Sequence, residues 1–286
     1  MTINEYLQHI TQTLQPLYDS REAAAVAKEY LRTRLNVPPY QLSLMGNDFL
    51  TEEQLSLFQN DLTKLASACP LQYVLGETEF YGLDFKVNPD VLIPRPETEE
   101  LVAKTIQFTE HLENPLIWDV GTGSGCIAIS LAKNLHNAKI VASDISQKAL
   151  TVAKENARLN AANVEFVLHD MLDVESLPFK EKNFTVIASN PPYIPHRFRR
   201  EMHANVREHE PSLALFVPDT DPLMYYKGIL GIGNKCLTEG GLVMMETFDD
   251  YHDDLKALCE NHGFSDCTSF LDINGKPRMF MATKKR

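Results

Sequence analysis

From residue 116 onward, apolar runs of strand length alternate with runs of helix length, and that alternation limits the fold more than any other feature of the chain. LIWDV (116–120) precedes CIAISLAKNL, AKIVASD (138–144) precedes QKALTVAKENARLN, and VEFVL (164–168), FTVIASN (184–190) and GGLVMMET supply further strands. Parallel neighbours need a crossover of about a dozen residues or more, normally a helix. The spacing therefore predicts βαβ units and an α/β fold with a doubly wound parallel sheet. FSDCTSFLDI and PRMFMATK predict a closing pair of strands.

The region ahead of it reads differently. Residues 1–72 predict a small N-terminal helical domain: Ile3, Leu7, Ile10, Leu14 and Leu17 recur at helical spacing, and Thr2 with Glu5 and Thr51 with Gln54 form capping boxes. An Ala-rich helix over about 21–35 stops before Pro38-Pro39. Residues 73–95 predict a β-hairpin and linker, because TEFYG and LDFKV alternate in short runs. Residues 96–286 then form the larger domain, opening on a helix with Pro96 in its first turn and acids beside it, which suits the helix dipole.

Composition narrows the function. The chain carries a formal charge of −12, which argues against a phosphate backbone as the main partner and so against direct nucleic-acid binding. One basic stretch stands out, HRFRREMHANVREHE (196–210), with Arg197, Arg199, Arg200 and Arg207. No run of about 18 apolar residues predicts a membrane span, and MTINEYLQHI lacks the basic start and apolar core of a signal peptide. The five cysteines are scattered without a CxxC pair, which fits reduced thiols in the cytoplasm, and the nine histidines make no ligand cluster, so no metal is expected.

Two motifs carry the chemistry. DVGTGSGC (119–126) places Gly121, Gly123 and Gly125 between a strand and a helix, where glycine permits positive φ and close approach of a ligand. Cys126 stands where the dinucleotide fingerprint wants its third glycine. The loop suits a ligand without a pyrophosphate, such as S-adenosylmethionine, held by Gly121, Thr122, Gly123, Ser124 and Gly125, with Asp119 for its amino-acid part. Asp144 ends the next strand, where a carboxylate can accept from both ribose hydroxyls. Asp170 or Met171 borders the adenine.

The second motif is SNPPYI. Asn190 ends a parallel strand, where open α/β sheets bind ligands. Pro191 pushes Asn190 toward extended geometry, and neither proline has an N–H to give. The Asn190 side-chain oxygen and the Pro191 carbonyl can then accept both N–H bonds of a substrate –NH2. Pro192 completes the rigid exit, and Tyr193 offers a ring to a flat substrate group and to the charge of a sulfonium. By itself, NPPY also fits a proline-rich strand exit with a capping Asn.

Taken together, QYVLGETEFYG, LIPRPETEELV, DVGTGSG, Asp144, SNPPYI and VREHEP resemble the glutamine N5-methyltransferases of peptide chain release factors, the HemK/PrmC family. NPPY alone is shared with amino-methylating DNA and RNA enzymes, whereas IPRPETE ahead of the glycine loop is far more specific. The resemblance implies a helical recognition domain and a Rossmann-like methyltransferase domain. S-adenosylmethionine would be the donor and S-adenosyl-L-homocysteine the product, and the glutamine of the Gly-Gly-Gln loop of release factors 1 and 2 would be the substrate. It implies a cofactor site at Gly121 to Gly125, Asp144 and Asn190, and a glutamine site at Asn190, Pro191, Pro192 and Tyr193. The chain departs from the family pattern at Met171, where many members carry Trp or Phe, after the acid in ETFDDYHDD, and in NGKPRMF. An adenine- or cytosine-amino methyltransferase shares the chemistry. A non-catalytic ligand-binding module is a second alternative, and Cys126 disfavours a nicotinamide oxidoreductase.

Overall fold

In the computed structural model, which describes residues 1–179 and 183–286, the chain forms two compact units. One comprises Met1–Glu77 with His203–His209, the other Thr78–Met202 with Glu210–Arg286.

The first unit is built on α1 (Ile3–Leu14), α2 (Ser20–Leu35), α3 (Pro39–Leu44), α4 (Glu52–Ala66) and α5 (Leu71–Leu75). Both expected capping boxes form: Thr2 accepts from the Glu5 N–H and Thr51 from the Gln54 N–H, with the reciprocal bonds present. Asn36 closes α2 in the left-handed region at φ 53°, a conformation Asn tolerates better than most residues. Ile3, Tyr6, Ile10 and Leu14 turn one face of α1 into a core shared with Tyr30, Phe58 and Leu62. Burial of each such side chain contributes about 1.5–3 kcal/mol. A charge in this core is paired: Asp61 accepts from the Tyr30 hydroxyl (3.1 Å) and Arg34 Nε (2.8 Å), while Arg34 Nη2 donates to the Val74 carbonyl (2.6 Å). In the 203–209 segment, His209 Nε2 lies 2.9 Å from the Ser67 carbonyl.

A hairpin follows, β1 (Glu77–Phe80) and β2 (Leu83–Lys86), and the second unit begins at its second residue, Thr78. After α6 (Pro96–Thr109) come β3 (Leu116–Val120), α7 (Cys126–Asn134), β4 (Lys139–Asp144), α8 (Gln147–Leu159), β5 (Val164–Leu168) and β6 (Phe184–Ser189). A two-stranded ladder of β7 (Ile194–Pro195) and β8 (Phe216–Val217) flanks α9 (Ala204–His209), which belongs to the first unit, and α10 (Ser212–Leu215). The chain continues through α11 (Met224–Cys236), β9 (Leu237–Glu246), α12 (His252–Asn261), β10 (Phe264–Leu271) and β11 (Pro277–Lys284).

Seven strands make one sheet in the order β10-β11-β9-β6-β3-β4-β5. β9, β6, β3, β4 and β5 run parallel, and β11 is antiparallel to both β9 and β10. This is the doubly wound α/β architecture that the alternation requires. Period two decides the two cores. On β3, Ile117 joins Leu101, Ile127 and Leu131, while Trp118 joins Phe179, Phe184 and Tyr226. β9 starts earlier than the sequence suggests. It runs through Gly240 at φ 75°, and its pairing with β6 slips between Phe184 and Val186, as a bulge does. The strand order reverses between β3 and β6, which sets the ligand crevice at their carboxyl ends.

No helix among the described residues is long and apolar enough to cross a membrane. No cluster of His, Cys, Asp and Glu among them is grouped to hold a metal ion.

Candidate active site

The β3 exit is held by its own backbone. Gly121, Gly123 and Gly125 sit at φ 76°, 56° and 84°, in the left-handed region. The Gly121 and Thr122 N–H groups donate to the Ser143 carbonyl on β4 (2.9 and 2.8 Å), and the Gly125 N–H to the Thr122 carbonyl (2.9 Å). A Cβ on Gly121 would stand 2.7 Å from Met171 Cε, so glycine here also makes room for the neighbouring wall. Asn156, buried on α8, ties the loop down. Its Nδ2 donates to the carbonyls of Ser124 (2.9 Å) and Lys86 (3.0 Å), and its Oδ1 accepts from the Lys86 N–H (2.6 Å).

Two acids serve this loop differently. Asp119 is fully buried, its Oδ2 accepting from Thr122 Oγ1 (2.6 Å) and the Ala128 N–H (3.2 Å). Its Oδ1 is buried with no hydrogen-bond partner among the described residues, and burial pushes the carboxyl up to about 7. Asp144 accepts from the Gly123 N–H at Oδ2 (2.9 Å) and the Ser146 N–H at Oδ1 (2.8 Å). Burial raises its pKa as well, against the pull of those bonds. Each Asp144 oxygen keeps a second lone pair for a hydroxyl.

A cavity of about 180 Å³ opens at this edge, entirely within the second unit. Residues 121–124 form one wall and residues 144–146 another; residues 169–172, Asn190 with Pro192, Pro94 with Arg95, and Thr98 are also among its lining residues. Of the residues singled out in the sequence, Gly121, Thr122, Gly123, Ser124, Asp144, Asp170, Met171, Asn190 and Pro192 line the cavity together. Asp119, Gly125, Pro191 and Tyr193 are not among its lining residues. Asp119 lies beneath the glycine loop, and Gly125 caps α7.

The β6 exit is held by side chains. Asn190 Nδ2 donates to Thr98 Oγ1 (3.0 Å), Thr98 Oγ1 donates to Glu246 Oε2 (2.6 Å), and the Tyr193 hydroxyl donates to Glu246 Oε1 (2.9 Å). Glu246 ends β9 at 2% exposure. Burial raises its pKa, and the two hydroxyl donors oppose that rise. Tyr193 turns its ring to Phe248, with centroids 6.2 Å apart, and burial lifts its phenol well above the ordinary range. The sequence contained both residues in stretches already singled out, Thr98 in IPRPETE and Glu246 as the acid of ETFDDYHDD, but neither had a role at the site. The signal for a role of Glu246 was its place at the carboxyl end of a parallel strand; that for Thr98 was its place in IPRPETE, in the first turn of a helix.

Nearby, Arg95 pairs with the buried carboxylate of Glu210, which also accepts from the Ile93 N–H (3.3 Å). Glu210 thus braces the segment before α6. Arg207, in the first unit, pairs with Glu208 (2.6 Å). Two arginines of the basic stretch lie over aromatic rings, Arg197 over Phe198 (4.8 Å) and Arg199 over Phe216 (5.3 Å), and Arg197 also donates to the Tyr251 hydroxyl (2.8 Å).

The donor set fits S-adenosylmethionine. A close-approach glycine, a carboxylate with free lone pairs, and apolar Ile145, Met171 and Leu172 line one cavity. They offer places for a backbone-tracking tail, a diol and a flat base.

Comparison with known proteins agrees. Residues 113–277 match the model of a methyltransferase domain, and residues 5–76 match that of the PrmC N-terminal domain. A release factor glutamine methyltransferase of Flavobacterium psychrophilum is 40% identical over 282 residues, covering 98% of each chain. One from Bacteroides thetaiotaomicron is 38% identical over 284 residues, covering 99% of this chain and 100% of its own. Among solved structures, a methyltransferase from Pyrococcus furiosus superposes with a TM-score of 0.52 at 17% identity, covering 82% of this chain and 100% of that one, a likeness of fold.

Proposed function

We infer the reaction from one premise: this chain belongs to the family of release factor glutamine methyltransferases. It transfers a methyl group from S-adenosylmethionine to the side-chain amide nitrogen of the glutamine in the Gly-Gly-Gln loop of peptide chain release factors. In this reading release factors 1 and 2 are both substrates, and the enzyme works in the cytoplasm. The observation that carries it is the meeting of Asn190 and the glycine loop in one cavity.

An amide nitrogen is a poor nucleophile because its lone pair is delocalised. The protein's task is therefore alignment and polarisation rather than strong base catalysis. Asn190 Oδ1 and the Pro191 carbonyl accept the two N–H bonds of the substrate carboxamide, and Pro192, also without an N–H, keeps the corner free of competing donors. Charge that develops on nitrogen meets preplaced dipoles, and the proton leaves to water. Tyr193 serves from behind, through Glu246. Residues 121–124, Asp144 and residues 170–171 hold the donor, with Asp119 and Gly125 shaping the loop. S-adenosylmethionine supplies an activated methyl group on a sulfonium. Residues 1–72 form the helical substrate-recognition domain, residues 73–95 the hairpin and linker, and residues 96–286 the catalytic domain.

The test is direct. Incubation with labelled S-adenosylmethionine and each purified release factor should add one methyl group, located by peptide mass sequencing on the glutamine of the Gly-Gly-Gln loop. Label in RNA or DNA instead of protein would replace this reading with the nucleic-acid one.

A further inference from the structure

The Asn190 carboxamide has an acceptor end and a donor end of nearly equal shape, and only one can face a substrate –NH2. We propose that Thr98 and Glu246 are positioning residues that fix which end does so. This rests on the reaction proposed above and adds the residues that make the Asn190 side chain selective for a carboxamide.

The direction of each hydrogen bond follows from a count of hydrogens. Glu246 is buried, and as a carboxylate it only accepts; its Oε2 and Oε1 face the hydroxyls of Thr98 (2.6 Å) and Tyr193 (2.9 Å). A threonine hydroxyl has one hydrogen, which Glu246 takes. Thr98 Oγ1 can then meet Asn190 only with a lone pair, so the contact at 3.0 Å is filled by the Asn190 NH2 group. Oδ1 is left for the substrate. The reverse orientation would set two oxygens against each other without a proton between them. A carboxamide substrate brings two N–H donors to Oδ1 and the Pro191 carbonyl. A carboxylate of the same shape brings only negative oxygens and is repelled. Discrimination of this kind comes from buried polar groups that only the correct partner satisfies.

Three variants test this against a release factor with its natural glutamine and one carrying Gln→Glu at that position. In Thr98→Val the side chain keeps its shape and loses the hydroxyl, so Asn190 is free to turn over. Its kcat should fall about 10-fold, with S-adenosylmethionine affinity by calorimetry within about twofold of wild type. The preference for Gln over Glu in competition binding should narrow about 10-fold as well. Thr98→Ser, which restores the hydroxyl, should recover most of both. Glu246→Leu removes the acceptor that takes the Thr98 hydrogen, so that hydroxyl is free to donate to Asn190 Oδ1 instead, and it should reproduce the losses; it is the independent probe if Thr98→Val melts early. Unchanged kcat and unchanged Gln/Glu preference in a folded Thr98→Val or Glu246→Leu enzyme would overturn the proposal. So would equal damage in Thr98→Ser and Thr98→Val, which would mark a packing role. A wild-type protein that methylates neither release factor sinks the reaction itself; an active wild type beside an unaltered Thr98→Val sinks only this inference.

Discussion

The loops that leave β3 and β6 rise from neighbouring parallel strands and both lean on a buried acid, yet they are braced by opposite means. At β3 the acid is Asp119, whose partners Thr122 and Ala128 lie in the loop and in the helix it opens. Glycine lets that backbone fold on itself and bond to β4. At β6 the acid is Glu246, whose partners Thr98 and Tyr193 stand 148 and 53 residues away in sequence. Prolines remove donors from that backbone, so side chains must do the bracing. The first loop gives the N–H groups of Gly121, Thr122, Gly123 and Gly125 to its own neighbours and offers a ligand a backbone surface without side chains at the glycines, whereas the second leaves oxygens without competing donors. The proposed reaction, with the methyl donor on one side and an amide on the other, would use both kinds of exit next to each other.

The largest effect should come from the β6 exit. In the proposed reaction Asn190→Ala removes an acceptor used in the transition state, so kcat should fall about 10- to 100-fold, while donor binding by calorimetry should change little. Normal turnover would break the division of labour between the loops. The mirror experiment at β3 is Gly121→Ala. It forces a side chain into φ 76° and brings Cβ within 2.7 Å of Met171 Cε. Affinity for S-adenosylmethionine should drop about 10-fold, and Met171→Ala in the same chain should return part of it, because the steric component is shared.

A third experiment contrasts the acids. The Asp119 carboxyl is pushed up to about 7 by burial, above its ordinary value in the unfolded chain of about 3.9. Between those two values the folded protein holds a proton that the unfolded chain has released. Raising pH through that window therefore lowers stability, and the loss is complete above the folded value. Measured as wild type minus Asp119→Asn, the unfolding midpoint should fall by about 10 °C across it; a flat difference would show that the native carboxyl titrates normally. The smallest effect lies outside both loops. Thr51→Ala removes the α4 cap and should cost about 1 kcal/mol in stability without moving donor affinity, since the cavity is lined wholly by the second unit.

What could be read from the chain follows the same division. The strands 116–120, 164–168 and 277–284 match the runs LIWDV, VEFVL and PRMFMATK residue for residue, because a strand rich in apolar and β-branched residues is a contiguous pattern. The glycine loop was legible for the same reason: its partners are local. The Thr98–Glu246–Tyr193 network was not, since a hydrogen bond between distant segments leaves no period in either. α11 was hidden by its glycines, which weaken a helical pattern; a Cβ at Gly228 would stand 2.5 Å from the Met171 carbonyl, so packing overrides propensity there. Likewise, nothing in VREHEP tells that His203–His209 joins one unit and Glu210 the other.

The pairing of β11 with β9 places Met279 opposite Glu246, and the Thr247 N–H donates to the Arg278 carbonyl (2.8 Å). The acid behind the β6 exit is thus clamped by the strand that lies furthest along the chain. The hydrogen bonds that shape the glycine loop, by contrast, run to Asp119, Ser143, Asp144 and Asn156. A change in β11 would therefore reach the β6 exit by way of its neighbour β9 and leave the bonds of the β3 exit in place.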